Sequence, residues 1–207
     1  MNFKFFFLEN ELKGKNLVIV DVQPEYQQYF EKYAFSIRNF TKWINKKYNT
    51  FNKVLFLFNG PSLGMISEDD LKLWYIENGL KEDVVYESEF FDKGYAFFRT
   101  CIDNNVSESD IVYLVKYMLE NNINDSRQLE ETGLWDKFEE RYSNTQLRSV
   151  LEHTGDMIYI PDVMDVLKKY GNNIVLVGGG AAECLKEVEI ALNANDQEYT
   201  QIAEWVY

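Results

Sequence analysis

Cys184 is the side chain in this sequence best placed for covalent chemistry. It follows Gly178-Gly179-Gly180-Ala181-Ala182-Glu183, in the first turn of a segment with helical spacing from Ala181 to Ala194. Unpaired N–H groups and the positive end of a helix dipole favour a thiolate there. The other reading is a buried structural thiol, the common state of a free cysteine. Asp21 interrupts the apolar run of Asn16 to Val22 (NLVIVDV). A carboxylate at the carboxyl end of a parallel strand lies where open α/β sheets bind ligands; the alternative is an Asp that caps the next turn. Glu87 follows the short run Val84-Val85-Tyr86. The single histidine, His153, excludes a metal site that needs two imidazoles. It ends a weak helix, where a histidine is an ordinary surface feature.

The elements that must position these residues can be read from periodicity. Ile174 to Val177 is a strand buried on both faces, the glycines make a tight turn, and the Cys184 helix follows. Asn16 to Val22 and Lys53 to Phe58 (KVLFLF) are strands, Val84 to Tyr86 a short third, and Thr200 to Val206 a last one. Ile158 to Ile160 reads as one more short strand, and Phe3 to Leu8 as an edge strand or hydrophobic arm. Pro24 opens a helix to about Tyr48 whose stripe of Tyr26, Tyr29, Phe30, Tyr33, Ile37, Phe40 and Ile44 predicts core. Ser67 with Asp70 and Ser107 with Asp110 read as helix starts. Pro161-Asp162 opens a helix closed by Gly171. Leu134 to Tyr142 and Gln146 to Leu151 are weaker helix candidates. Strands alternating with helices predict a doubly wound α/β fold with a mainly parallel sheet and helices on both faces.

Composition bounds the function. The 207 residues carry a net charge of −13. Residues 1–60 hold 9 Lys/Arg against 5 Asp/Glu, and the remainder holds 12 against 29. An acidic balance of this size argues against nucleic acid as a partner. No apolar run approaches the roughly 20 residues of a membrane-spanning helix. Cys101 and Cys184 do not form a disulfide framework, which fits a reducing, cytoplasmic setting.

Two motifs carry a family resemblance. Leu17-Val18-Ile19-Val20-Asp21-Val22-Gln23 resembles the first-strand motif of the isochorismatase-like cysteine hydrolases, which include the nicotinamidases. Val177-Gly178-Gly179-Gly180-Ala181-Ala182-Glu183-Cys184 resembles their strand–turn–helix motif bearing the nucleophile. The resemblance covers about residues 15–90 and 160–207. It implies one α/β domain over 1–207; the segment it does not cover, at about 92–157, reads from its own helix candidates and polar stretches as a mostly helical insertion or lid. It also implies a triad of Asp, Lys and Cys, with Asp21 as base, Cys184 as nucleophile and an oxyanion site at the Gly180–Ala181 turn, where family members often have a cis peptide. Gln23, Gly180 and Ala181 fall on the substrate side.

The lysine that the family carries at the end of its third strand meets Glu87 in this reading, and Lys93 would have to reach the site from a loop. The segment after the second strand, Phe58-Asn59-Gly60-Pro61-Ser62-Leu63-Gly64, has no histidine, so the nicotinamidase metal is not expected and no cofactor is called for. Ala181-Ala182 stands where the family has Thr-Asp. Three functions follow as expectations. One is a hydrolase of a small amide or vinyl ether acting through Cys184. The second is a member disabled by Glu87 that serves as a binding or assembly module. The third is a Mg²⁺ site of Asp21, Glu87 and Glu183 for phosphoryl-ester hydrolysis. The expected partners are a small-molecule substrate and further copies of the chain, with no nucleic acid and no membrane.

Overall fold

In the computed structural model, five strands form a single, wholly parallel sheet in the order β3-β2-β1-β4-β5. The structure describes residues 11–94, 98–124 and 160–207, and between them Gln128, Gly133, Asp136 and Glu140. The Phe3–Leu8 arm, the Gln146–Leu151 helix and His153 lie outside the described residues. So does Leu134–Tyr142 apart from Asp136 and Glu140, and of the Ile158–Ile160 strand only Ile160 is described.

β1 (Asn16–Val20) is buried along its whole length, as its uninterrupted apolar run requires. A 3₁₀ turn at Pro24–Tyr26 leads to α1 (Gln27–Lys32) and α2 (Ile37–Lys47). The single helix expected here is two. Ala34 takes a left-handed φ of 58°, and Ser36 then caps α2 by accepting from the Asn39 N–H. The aromatic stripe divides with it: Phe30, Phe40 and Ile44 enter the core, whereas Tyr29 and Tyr33 are exposed.

β2 (Lys53–Phe58) pairs in parallel with β1, Ile19 opposite Phe56. α3 (Glu68–Glu77) follows, with Ser67 as its cap. The expected strand Val84–Tyr86 is a helix, α4 (Glu82–Glu87). Its Val84 and Val85 look like a strand run in sequence because both are buried, but they are the core-facing side of one helical turn. The third strand is β3 (Glu89–Asp92), where Phe90 pairs with Phe56 and stacks on it at 4.5 Å.

α5 (Arg99–Asp103) and α6 (Glu108–Glu120) come next, α6 capped by Ser107 and burying Ile111, Leu114, Val115 and Met118. α7 (Val163–Tyr170) ends at Gly171, whose φ is +66°. β4 (Ile174–Gly178) lies on the other side of β1 from β2, and α8 (Cys184–Ala194) follows it. β5 (Tyr199–Gln201) is shorter than expected. Three residues pair with β4, and the chain then turns into a 3₁₀ segment at Ala203–Trp205.

The chain divides into two compact units: Met1–Gly94 with Tyr170–Leu185 and Glu198–Tyr207, and Tyr95–Lys169 with Lys186–Gln197. The first holds the sheet and an aromatic core of Phe30, Phe35, Phe40, Phe56, Tyr75 and Trp205 against Leu17, Ile19, Val175 and Val177. Side chains of this kind contribute about 1.5–3 kcal/mol each when fully buried. The path β1–β2–β3 runs one way across the sheet and β4–β5 the other. The fold is therefore doubly wound, and its direction reverses between β1 and β4. In this architecture the carboxyl ends of the two strands that flank the reversal are the usual ligand position.

Candidate functional site

Three polar residues each stand one position past the end of a strand: Asp21 after β1, Asn59 after β2 and Lys93 after β3. Their backbones extend the sheet by one bond, Asp21 N–H to the Leu57 carbonyl (2.9 Å) and Lys93 N–H to the Phe58 carbonyl (2.9 Å). The side chains therefore gather above the same edge. Lys93 Nζ lies 3.0 Å from Asp21 Oδ2, and both side chains are 1% exposed. The contact is an ion pair without hydrogen-bond geometry, so neither carboxylate oxygen of Asp21 has a hydrogen-bond partner among the described residues. Lys93 Nζ also donates to Asn59 Oδ1 at 2.9 Å.

Asp21 takes a left-handed φ of 50°, a costly conformation for a residue with a Cβ. Two tyrosines hold the segment in place. Tyr207 Oη donates to the Asp21 carbonyl (2.7 Å), and Tyr75 Oη donates to the Val22 carbonyl (2.6 Å).

Asn59 is fixed from every side. The Gln23 carboxamide accepts from Asn59 N–H (2.9 Å) and donates to its carbonyl (3.1 Å), while Asn59 Nδ2 donates to Tyr26 Oη (2.8 Å). Next to it, Asp92 Oδ1 accepts from the Gly60 and Gly94 N–H groups, each at 3.0 Å. A Cβ on Gly60 would stand 2.2 Å from that carboxylate, so any larger residue there would have to displace the Asp92 side chain.

The fourth strand end is the glycine turn. Gly178 has a φ of +80°, and a Cβ on it would meet the Val20 carbonyl oxygen at 2.4 Å. The turn lies flat against the end of β1 and delivers Cys184 as the first residue of α8. Cys184 is half-buried, whereas Cys101 is fully buried, and burial pushes the Cys101 thiol up to about 12. Tyr26 and Tyr207 both stand within electrostatic reach of Asp21 and Cys184, and Tyr26 also of Lys93. Burial, with the Asp21 charge adding to it, pushes the Tyr26 phenol up to about 12 and the Tyr207 phenol well above its ordinary range. Both are neutral hydroxyls at physiological pH.

The structure brings Asp21, Lys93 and Cys184 to one end of the sheet and separates Glu87 from them. Glu87 closes α4, two residues before β3 begins, and it faces a groove with Lys53 and Glu89 at the amino ends of β2 and β3. The expectation that Glu87 takes the lysine's place is therefore corrected. It followed from ending the third strand too early, and the residue past the true end of that strand is Lys93. The proposed Mg²⁺ cluster loses Glu87 for the same reason, and no group of three or more metal-binding side chains is found among the described residues.

The oxyanion expectation for the glycine turn also changes. Ala181 N–H donates to the Tyr207 carbonyl (2.9 Å), Tyr207 N–H donates to the Gly179 carbonyl (3.2 Å), and no described peptide bond is cis. Gln23 is buried and bonded to Asn59 and Glu25, which makes it a brace for the Asn59 loop, not a group that faces substrate.

Sequence reading missed Asn59, Tyr26 and Tyr207. Asn59 stands directly after an apolar strand, the same signal that marked Asp21, but the following Gly60-Pro61 made it look like a turn. Tyr26 was absorbed into the aromatic stripe. Nothing local marks Tyr207. No family model matches this chain, and neither a curated protein nor a solved structure gives a significant match. No described helix is long and apolar enough to cross a membrane.

Proposed function

We propose that this chain is an isochorismatase-like cysteine hydrolase that acts on a small amide or vinyl ether, with Cys184 as nucleophile, Asp21 as base and Lys93 as the supporting cation. The observation that carries the reading is the buried contact of 3.0 Å between Lys93 Nζ and Asp21 Oδ2, at the end of the sheet where the turn after β4 leads to Cys184. A buried ion pair is a poor source of stability, because desolvation offsets the attraction. Its presence beside a helix-terminal thiol is better explained by chemistry.

In the amide reaction, the Cys184 thiol gives its proton to Asp21, whose carboxylate oxygens make no hydrogen bond to the described residues. The sulfur attacks the carbonyl carbon, and the carbonyl electron pair moves to oxygen. The tetrahedral adduct collapses to a thioester as the amine leaves with the proton held by Asp21. Water then gives a proton to Asp21 as its oxygen adds to the thioester carbon, and the adduct collapses to the acid while Asp21 returns that proton to the departing sulfur, which restores the thiol and the carboxylate. Lys93, 3.0 Å from Asp21 Oδ2, orients the carboxylate for these transfers. The binding-module alternative rested on Glu87 in the lysine position, and with Glu87 elsewhere no observation favours it.

Alkylation by iodoacetamide near neutral pH tests the reading. Cys184 is expected to react to one equivalent, faster than free cysteine and much faster than Cys101, and Lys93→Met is expected to slow it. Labelling of Cys184 no faster than that of Cys101 would sink the proposal.

A further inference from the structure

The hydroxyl of Tyr26 is held in an unusual way. It accepts a hydrogen bond from Asn59 Nδ2 at 2.8 Å, and Asn59 is itself locked by Lys93 and Gln23. That bond uses the oxygen and fixes the orientation of the phenol. For the proton of the hydroxyl, the acceptor among the described residues is the sulfur of Met65 at 3.8 Å, a weak partner that any oxygen would displace. The ring is half-buried on the 3₁₀ turn after Gln23, within reach of Asp21, Lys93 and Cys184. Meanwhile Ala181 N–H, the donor that the glycine turn was expected to supply, is occupied by the Tyr207 carbonyl.

Building on the hydrolase reading above, we infer that Tyr26 is a catalytic residue that donates its hydroxyl proton as a hydrogen bond to the substrate carbonyl oxygen as that oxygen becomes negative. A neutral donor beside Asp21 costs nothing to keep protonated, and a donor clamped by Asn59 needs no reorganisation when charge develops. The hydroxyl stays protonated throughout and breaks no bond.

Two reactions of the same thiol separate this role from all others. Iodoacetamide alkylation displaces iodide and creates no oxyanion. Acylation by p-nitrophenyl acetate forms a carbon–sulfur bond, pushes the carbonyl electron pair onto oxygen and then expels p-nitrophenolate. Tyr26→Phe is expected to slow the p-nitrophenolate burst by roughly 100-fold, as loss of one oxyanion donor does, with alkylation of Cys184 and its pH profile unchanged. Equal loss in both reactions would mean that Tyr26 acts on the thiol through Asn59 and Lys93, which overturns the donor role. An unchanged burst overturns it too. If the unaltered protein is neither alkylated nor acylated at Cys184, the hydrolase reading fails first and takes this inference with it.

Discussion

At the carboxyl end of the sheet, Asp21, Asn59 and Lys93 are 0%, 2% and 5% exposed, and Lys93 joins the other two through an ion pair to Asp21 and a hydrogen bond to Asn59. At the amino end, Glu87, Glu89 and Lys53 are exposed around an open groove of about 340 Å³ with Tyr48 and Tyr170. The charged residue types are similar at the two ends, but the environments are opposite. Charges in water are screened and choose their partners loosely. Charges sealed under a sheet edge must be paired in one geometry or not be charged at all. Only the carboxyl end can therefore hold a base, a cation and a thiol in a fixed relation.

The largest expected difference between the ends is in the cost of removing one charge. Lys93→Met leaves the Asp21 carboxylate buried without its cation, and urea unfolding should show a loss of about 3–5 kcal/mol. Glu87→Gln, at the exposed end, should stay within about 0.5 kcal/mol. Similar losses at both ends would mean that the Asp21–Lys93 contact is hydrated, and the contrast drawn above would fall.

This difference also explains what could be read in the sequence. β1, β2 and β4 are central or nearly so, and their apolar runs (LVIV, VLFLF, IVLV) admit no other element, so they were legible to within a residue or two. β3 and β5 are edge strands of four and three residues, and their sequences, EFFD and YTQ, mix charge or polarity with aromatics. Their identity comes from pairing with a neighbour, which no local pattern encodes. Misplacing β3 onto Val84–Tyr86 then carried Glu87 into the site and put Lys93 in a loop. Asp21 and Cys184 were legible because they interrupt or follow strong signals. The network of Asn59, Tyr26 and Tyr207 was not, because it joins segments far apart in the chain by hydrogen bonds alone.

Glycines at the two ends of β4 give a middle-sized test. Gly171 precedes the strand with a φ of +66° and open space where a Cβ would go. Gly178 ends it with a φ of +80° and the Val20 carbonyl oxygen 2.4 Å from that position. Gly171→Ala should cost about 1 kcal/mol, the conformational penalty alone. Gly178→Ala adds a backbone clash and should cost about 3 kcal/mol or more by thermal or urea unfolding. Equal costs would show that the turn can move off β1 and does not fix where the Cys184 helix begins.

The smallest expected effect is on alkaline pH, and it isolates Tyr26. Its phenol is raised from 10.0 to about 12, by burial first and by the Asp21 charge second. The folded protein thus holds this proton more tightly than the unfolded chain does. The resulting stability is complete below about pH 10 and is lost as pH rises toward 12. Tyr26→Phe should flatten the fall of stability across that window and remove one late phenolate transition from the native ultraviolet titration. Tyr48, at the amino end, is raised by burial as well, but its neighbours are Glu87 and Ser88 near solvent, so Tyr48→Phe should change the curve less. If the two substitutions act alike, the Tyr26 hydroxyl is not sealed beside Asp21, and the asymmetry between the ends of the sheet does not extend from the charges to the phenol.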